Sequence, residues 1–206
     1  MTARKIKKRM TKDERMRHIV DAASMLFAKN GFKGTTTREI AKKAGISEAV
    51  IFKHFSKKEA LYSAIIDSRC NDTAGHSRLM KILEGKSGKD VFYEVANFLI
   101  TEHQEDPSFL RLLTFSALEG HNLSDIFIKT KGMELIEFLA GHIKELVNKK
   151  LFRRVEPIIA ARAFMGMVLH YSISQEIYGL KKYFKMSNDY VIDTFVDIFF
   201  NGMERH

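Results

Sequence analysis

Tryptophan is missing from the 206 residues, cysteine occurs once (Cys70) and proline twice (Pro107 and Pro157). A lone thiol excludes an intrachain disulfide framework and a cysteine-rich metal cluster, and it fits a reducing compartment, so a cytoplasmic location is expected. Few prolines leave long stretches free to be helical. No apolar run approaches the ~18 uncharged residues of a membrane span. The longest candidate is bracketed by Arg162 and Glu176 and interrupted by His170, Ser172 and Gln175, so no membrane partner is expected. The cationic start from Arg4 to Arg9 resembles the head of a signal peptide, but Lys12, Asp13, Glu14, Arg15 and Arg17 stand where its apolar segment would begin. Export is therefore not expected. What is present suffices for a folded chain: 45% hydrophobic and 29% charged residues can bury a core and argue against disorder.

The positive charge is unevenly placed. Residues 1–58 hold sixteen Lys and Arg against five Asp and Glu, whereas residues 59–206 hold eighteen against twenty. The net charge of +9 therefore resides in the first quarter of the chain. Such asymmetry suggests a small polyanion-binding unit joined to a nearly neutral body with another task. A basic arm lying on anionic membrane has the same composition, and charge alone does not separate the two.

No alternating apolar pattern reads as a strand, and the expected fold is all-α with about nine helices. Met16, Ile19, Ala23, Leu26 and Phe27 recur at helical spacing between Lys12 and Asn30, and Asn30-Gly31 supplies a stop. Thr36-Thr37-Arg38-Glu39 and Ser56-Lys57-Lys58-Glu59 have capping-box spacing, and Ser47 can cap a helix between them. Beyond Glu59 the spacing predicts helices over 59–83, with a bend or break in the polar stretch 71–77, then over 90–103, 107–120, 124–148, 156–178 and 187–203. The domains expected are 1–58, a three-helix helix-turn-helix unit with a basic tail, and 59–206, a helical body for effector binding and dimerisation.

The most informative segment runs from Ile40 to Phe55. Ala41, Gly45 and Ile51 have helix-turn-helix spacing: a small residue where two helices cross, a residue able to adopt positive φ, and an apolar anchor. Ile40, Ala44, Ile46, Ile51 and Phe55 can close the core beneath. At 100° per residue, burying Ile51 and Phe55 turns Ala49 and Lys53 outward, with Val50 and Phe52 on the flanks. Lys53 brings charge and donors, and Ala49 and Val50 can pack on thymine methyls. Glu48 can accept from a cytosine amino group, or it can simply favour the positive end of its own helix. Lys57 and Lys58 flank helix-start amides suited to a phosphate, and Thr35, Thr36, Thr37, Ser47 and His54 can add further contacts. The tail from Arg4 to Arg9 would follow the DNA backbone or enter a minor groove.

These residues also carry a family likeness. Residues Arg15 to Ala23, Leu26-Phe27-Ala28, Asn30-Gly31-Phe32, Thr35 to Ala41, Ala44-Gly45-Ile46-Ser47, His54-Phe55 and Lys58-Glu59-Ala60-Leu61 resemble the N-terminal domain of TetR/AcrR-family transcription regulators. The likeness covers roughly residues 12–66, and the remaining length suits that family's ligand-binding and dimerisation domain. It implies a homodimer that binds double-stranded operator DNA, usually as a repressor, and that a small molecule releases. The sequence departs from the family at Phe52, where an aromatic hydroxyl is common, and at Glu48, where Lys or Arg is common.

The last two predicted helices carry more apolar surface than one core needs. Phe164, Val168, Val191, Phe195 and Phe199 are accordingly the expected dimer interface, as a symmetric four-helix arrangement. Ten methionines and sixteen phenylalanines suit a deformable pocket for an apolar effector. Phe92, Phe98, Phe109, Phe115, Met165 and Tyr171 are its candidate walls, with Asn97 and His170 as polar handles. No metal, cofactor or catalytic residue is expected. The eight histidines never stand three or four apart as helical zinc ligands would. Gly85 to Lys89 fails the phosphate-loop pattern, because Asp90 follows Lys89 and Leu83 stands in place of the first glycine. The function expected is ligand-released repression at a palindromic operator. The alternatives are a ligand-activated regulator of the same fold and, from other classes, a basic membrane-surface protein or an enzyme.

Overall fold

The computed structural model describes residues 10–70, 73–120 and 122–204. Among these there is no strand, only a single antiparallel bridge between Phe152 and Glu204. Eleven α-helices follow one another: α1 Lys12–Asn30, α2 Thr37–Ala44, α3 Glu48–His54, α4 Lys58–Cys70, α5 Thr73–Leu83, α6 Lys89–Glu105, α7 Ser108–Glu119, α8 Asn122–Phe127, α9 Met133–Asn148, α10 Pro157–Glu176 and α11 Asn188–Met203. The sequence reading expects about nine, and two of its helices are each divided. The stretch 59–83 is α4 and α5, ending at Cys70 and resuming at Thr73; the stretch 124–148 is α8 and α9, joined by a π-helical turn at Ile128–Gly132. No helix among the described residues is long and apolar enough to cross a membrane.

The chain divides into two compact units, Met1–Arg69 and Cys70–His206. The sequence reading ends the first at residue 58, but nearly all of α4 belongs to it. Leu61, Tyr62 and Ile65 of α4 are buried, and the Tyr62 ring packs edge-on against Phe27 at 4.9 Å and against Phe32 at 5.1 Å. Without α4 that aromatic core would be open on one side.

Local signals set the helix ends in the first unit. Thr11 and Glu14 form a capping box on α1, and Thr36 and Glu39 form one on α2. In each, the threonine hydroxyl accepts from the glutamate N–H while the carboxylate accepts from the threonine N–H. These bonds hold the Glu14 and Glu39 carboxyls below their ordinary pKa. Gly45 closes α2 at φ 64°, a left-handed value that costs any residue with a Cβ. Gly34 is constrained for another reason: a Cβ there would collide with the Asn30 carbonyl oxygen.

In the second unit, α6 packs against both α10 and α11, and α9 against α10. Phe92, fully buried on α6, is ringed by Phe164, Phe199 and Phe200 with centroids 5.0–5.4 Å away. Ala160 and Ala161 are buried on α10 beside Phe164 and Val168.

Candidate functional site

The helix-turn-helix spacing read from sequence is realised. Ala41 and Ile51 are buried, Gly45 makes the turn, and the Ile46 N–H donates to the Ala41 carbonyl across it at 3.0 Å. His18 Nε2 lies 3.0 Å from the Ala44 carbonyl oxygen and ties α1 to the end of α2. With Ile51 and Phe55 inward, Ser47, Ala49, Phe52 and Lys53 are exposed, and Val50 and His54 are half-buried. Ser47 stands at the start of α3 without the capping hydrogen bond expected of it, so its hydroxyl does not serve the helix end. Lys57 is exposed just before α4.

Several of the expected contact residues are otherwise engaged. Thr35 is fully buried, and its hydroxyl spans the Gly31 carbonyl at 2.8 Å and the Leu26 carbonyl at 3.2 Å, so it is a clamp of the α1–α2 turn rather than a phosphate contact. Lys58 is turned inward. Its ammonium donates to the carbonyls of Phe32 at 2.8 Å and Thr35 at 2.9 Å and sits 4.1 Å from the centre of the Phe32 ring, which leaves little of it for a phosphate. Glu48 accepts from the Thr37 hydroxyl, linking the starts of α2 and α3, and this contact competes with any bond to a cytosine. Thr36 remains exposed, although its hydroxyl also donates to Glu39 at 2.8 Å. The basic tail from Arg4 to Arg9 lies outside the described residues.

The sequence reading overlooked Arg38, Lys42 and Lys43. All three are exposed on α2, so the cationic surface is broader than α3 and the start of α4. Spacing offered a signal, since Arg38 and Lys42 stand four apart on a helix whose apolar residues Ile40, Ala41 and Ala44 face inward.

The second unit revises two further groups. Phe92 and Met165 are in the core and cannot wall an accessible pocket. Phe98 packs half-buried on that core beneath the Arg78 guanidinium, Phe109 lies edge-on to Phe127 at 5.0 Å, and Phe115 is half-buried. The side-chain Oδ1 of Asn97 accepts from the Thr101 hydroxyl. His170 is exposed, with Nε2 3.3 Å from the Ser174 hydroxyl. Tyr171 does line a cleft of about 490 Å³, but its companions are Gln104, Gln175, Glu176 and Lys181 together with Phe184, Lys185 and Met186, a polar and aromatic set rather than an apolar one. Of the expected dimer residues, Phe164, Val168, Val191 and Phe199 are buried within the single chain, and Phe195 packs half-buried on its core with the Tyr171 ring 5.7 Å away. Helical spacing alone did not tell the inner face of α10 and α11 from the outer one. The outer face carries Ile159, Ala163 and Met167 of α10 and Ile198 and Gly202 of α11, which together line a second, mostly apolar hollow. Among the described residues, no group of three His, Cys, Asp or Glu side chains is arranged to hold a metal ion.

Comparison with known proteins agrees with this geometry. Residues 19–65 match the sequence profile described as "Bacterial regulatory proteins, tetR family". The uncharacterized HTH-type transcriptional regulator YvkB of Bacillus subtilis (strain 168) is 27% identical over 161 residues, 76% of this chain and 80% of its own length. Nucleoid occlusion factor SlmA of Vibrio vulnificus (strain YJ016) is 26% identical over 76% of this chain and 81% of its own. The crystal structure of AibR in complex with isovaleryl coenzyme A and operator DNA aligns with a TM-score of 0.69 at 22% identity, covering 90% of this chain and 98% of that one.

Proposed function

We propose that the chain, whose residues 19–65 match the TetR family of bacterial regulatory proteins, is a homodimeric repressor that reads a palindromic operator with α3 and lets go when a small molecule occupies the second unit. The observation that carries this reading is the outward face of α3. Ser47, Ala49, Phe52 and Lys53 are exposed on a helix whose opposite side, Ile51, is buried, and Lys42, Lys43 and Lys57 are exposed on the neighbouring elements. A helix so presented fits the major groove, and flanking cations neutralise phosphates. Lys53 carries base discrimination, and the methyl of Ala49 and ring of Phe52 suit thymine methyls.

Two readers about a two-fold axis require inverted half-sites about one helical turn, or a multiple, apart. The outer face of α10 and α11 fits that axis: small residues Ala163 and Gly202 let backbones approach, and exposed Ile159 and Ile198 need cover. That AibR has been crystallised with both isovaleryl coenzyme A and operator DNA supports ligand control in a protein of this fold. The test is selection of bound duplexes from a random pool, followed by titration of the winner. Inverted repeats are expected, along with a linear loss of log affinity with log salt and an altered base preference for Lys53→Ala. A single asymmetric half-site would rule out the dimeric reading, and retention on anionic vesicles that duplex does not displace would favour a membrane-surface protein.

A further inference from the structure

The end of α10 carries an unusual charge. Glu176 is its last residue, and the side chain is only 4% exposed, where a carboxylate is costly unless a cation meets it. The cation that meets it comes from close by. Lys181 lies five residues on, in a three-residue 3-10 turn, and its Nζ donates to Glu176 Oε2 at 2.6 Å while its side chain remains 59% exposed. One partner is thus fixed in the wall and the other reaches in from solvent.

The wall is rigid on the carboxylate side. Arg111 Nη2 donates to the Glu176 backbone carbonyl at 2.7 Å, holding the helix end, and the Tyr171 ring is held edge-on by Phe195. Next to Glu176, Gln175 is 6% exposed and lines the cleft, while its Oε1 is buried and accepts no hydrogen bond from the described residues. Phe184 and Met186 add apolar surface at the rim. The cleft therefore offers a buried negative charge and an aromatic wall, in a space of about 490 Å³.

We propose that this cleft binds an organic ammonium ion at Glu176, and that Lys181 holds the place as the chain's own competitor. The ammonium would exchange for Lys181 on the carboxylate, and its apolar tail would lie along Tyr171, Phe184 and Met186. An anion fits less well. Lys181 is already neutralised, the Gln104 amide is used in reciprocal 2.9 Å bonds with Asn188, and Lys185 is left as an exposed cation at the rim. Burial keeps His103, the nearby imidazole that feels Glu176, below its ordinary pKa, so at neutral pH it adds no rival positive charge. The assignment names the ligand class for the release proposed above and rests on that reading only for the release step.

Calorimetry on the full-length protein with hexylammonium, hexanoate and 1-hexanol separates the possibilities. Hexylammonium is expected to bind tightest, Glu176→Gln to weaken it by about tenfold or more, and Lys181→Ala to tighten it by about threefold, because the ligand then has no side-chain ammonium to displace from the buried carboxylate. The gain for Lys181→Ala opposes the loss that general damage would cause. Tighter binding of hexanoate, no measurable heat with hexylammonium, or unchanged or weaker binding in Lys181→Ala would each overturn the site. Hexylammonium that binds while leaving the affinity for a selected duplex unchanged would uphold the site and overturn release through it.

Discussion

At the scale of single residues, two adjacent lysines that look alike in sequence do different work. Lys57 is exposed between α3 and α4, whereas the Lys58 ammonium is spent on the carbonyls of Phe32 and Thr35. Lys57→Ala is expected to weaken binding to every duplex and lower the salt slope by about one. Lys58→Ala should leave that slope nearly unchanged and instead lower stability by about 1.5–3 kcal/mol, the range for hydrogen bonds to a charged group, as read from urea unfolding. A salt slope that falls equally in both variants would contradict the inward placement. Glu39 makes a residue-scale prediction in pH. Its pKa is lowered in the folded chain by hydrogen bonds from Thr36, so the stabilisation is fully present above the ordinary value of 4.5 and fades as pH falls through the lowered one. Melting curves of wild type and Glu39→Gln should therefore differ at pH 7 and draw together as pH falls below 4.5 and through the lowered value.

At the scale of elements, the turns that aim α3 depend on two glycines for unlike reasons. Gly45 needs its left-handed φ of 64° but has open space where a Cβ would go, so Gly45→Ala is expected to cost about 1–2 kcal/mol, the left-handed penalty alone. Gly34 faces a backbone carbonyl, which cannot swing aside as a flexible side chain would. Gly34→Ala should cost more than Gly45→Ala, and equal losses in urea unfolding would show that the α1–α2 turn yields. The contact from Thr37 to Glu48 works at the same scale, since it joins the starts of α2 and α3 and so restrains the angle between them.

At the scale of the whole molecule, the proposed association depends on which side of α10 and α11 is left over after the core is formed. Ile198 is 60% exposed on the outer side, while Phe199 is 7% exposed on the inner side. Ile198→Asp is expected to leave the fold intact and yield monomers with weak operator binding, because symmetry places the charge in the interface twice. Phe199→Asp should instead unfold the second unit, where Phe199 packs against Phe92 and Phe164. Sedimentation velocity with circular dichroism distinguishes these outcomes, and a dimer that survives Ile198→Asp would move the interface elsewhere.

The helical class, the helix-turn-helix and the capping box of α2 were legible in the sequence because each rests on contacts between residues a few positions apart. Ala41, Gly45 and Ile51 do locally what their spacing announces, and the excess of cations before residue 58 needed only counting. What the local pattern left open was direction across the chain. Periodicity shows that α10 and α11 have apolar residues on more than one side, but only packing against α6 decides that Phe164 and Phe199 face inward and Ile159 and Ile198 outward. The same holds for Lys58, whose partners lie 23 and 26 residues back, and for Arg111, which reaches a carbonyl 65 residues away. It holds most of all for Glu176, an ordinary glutamate in sequence whose burial arises only where α6, α10 and the turn after it meet.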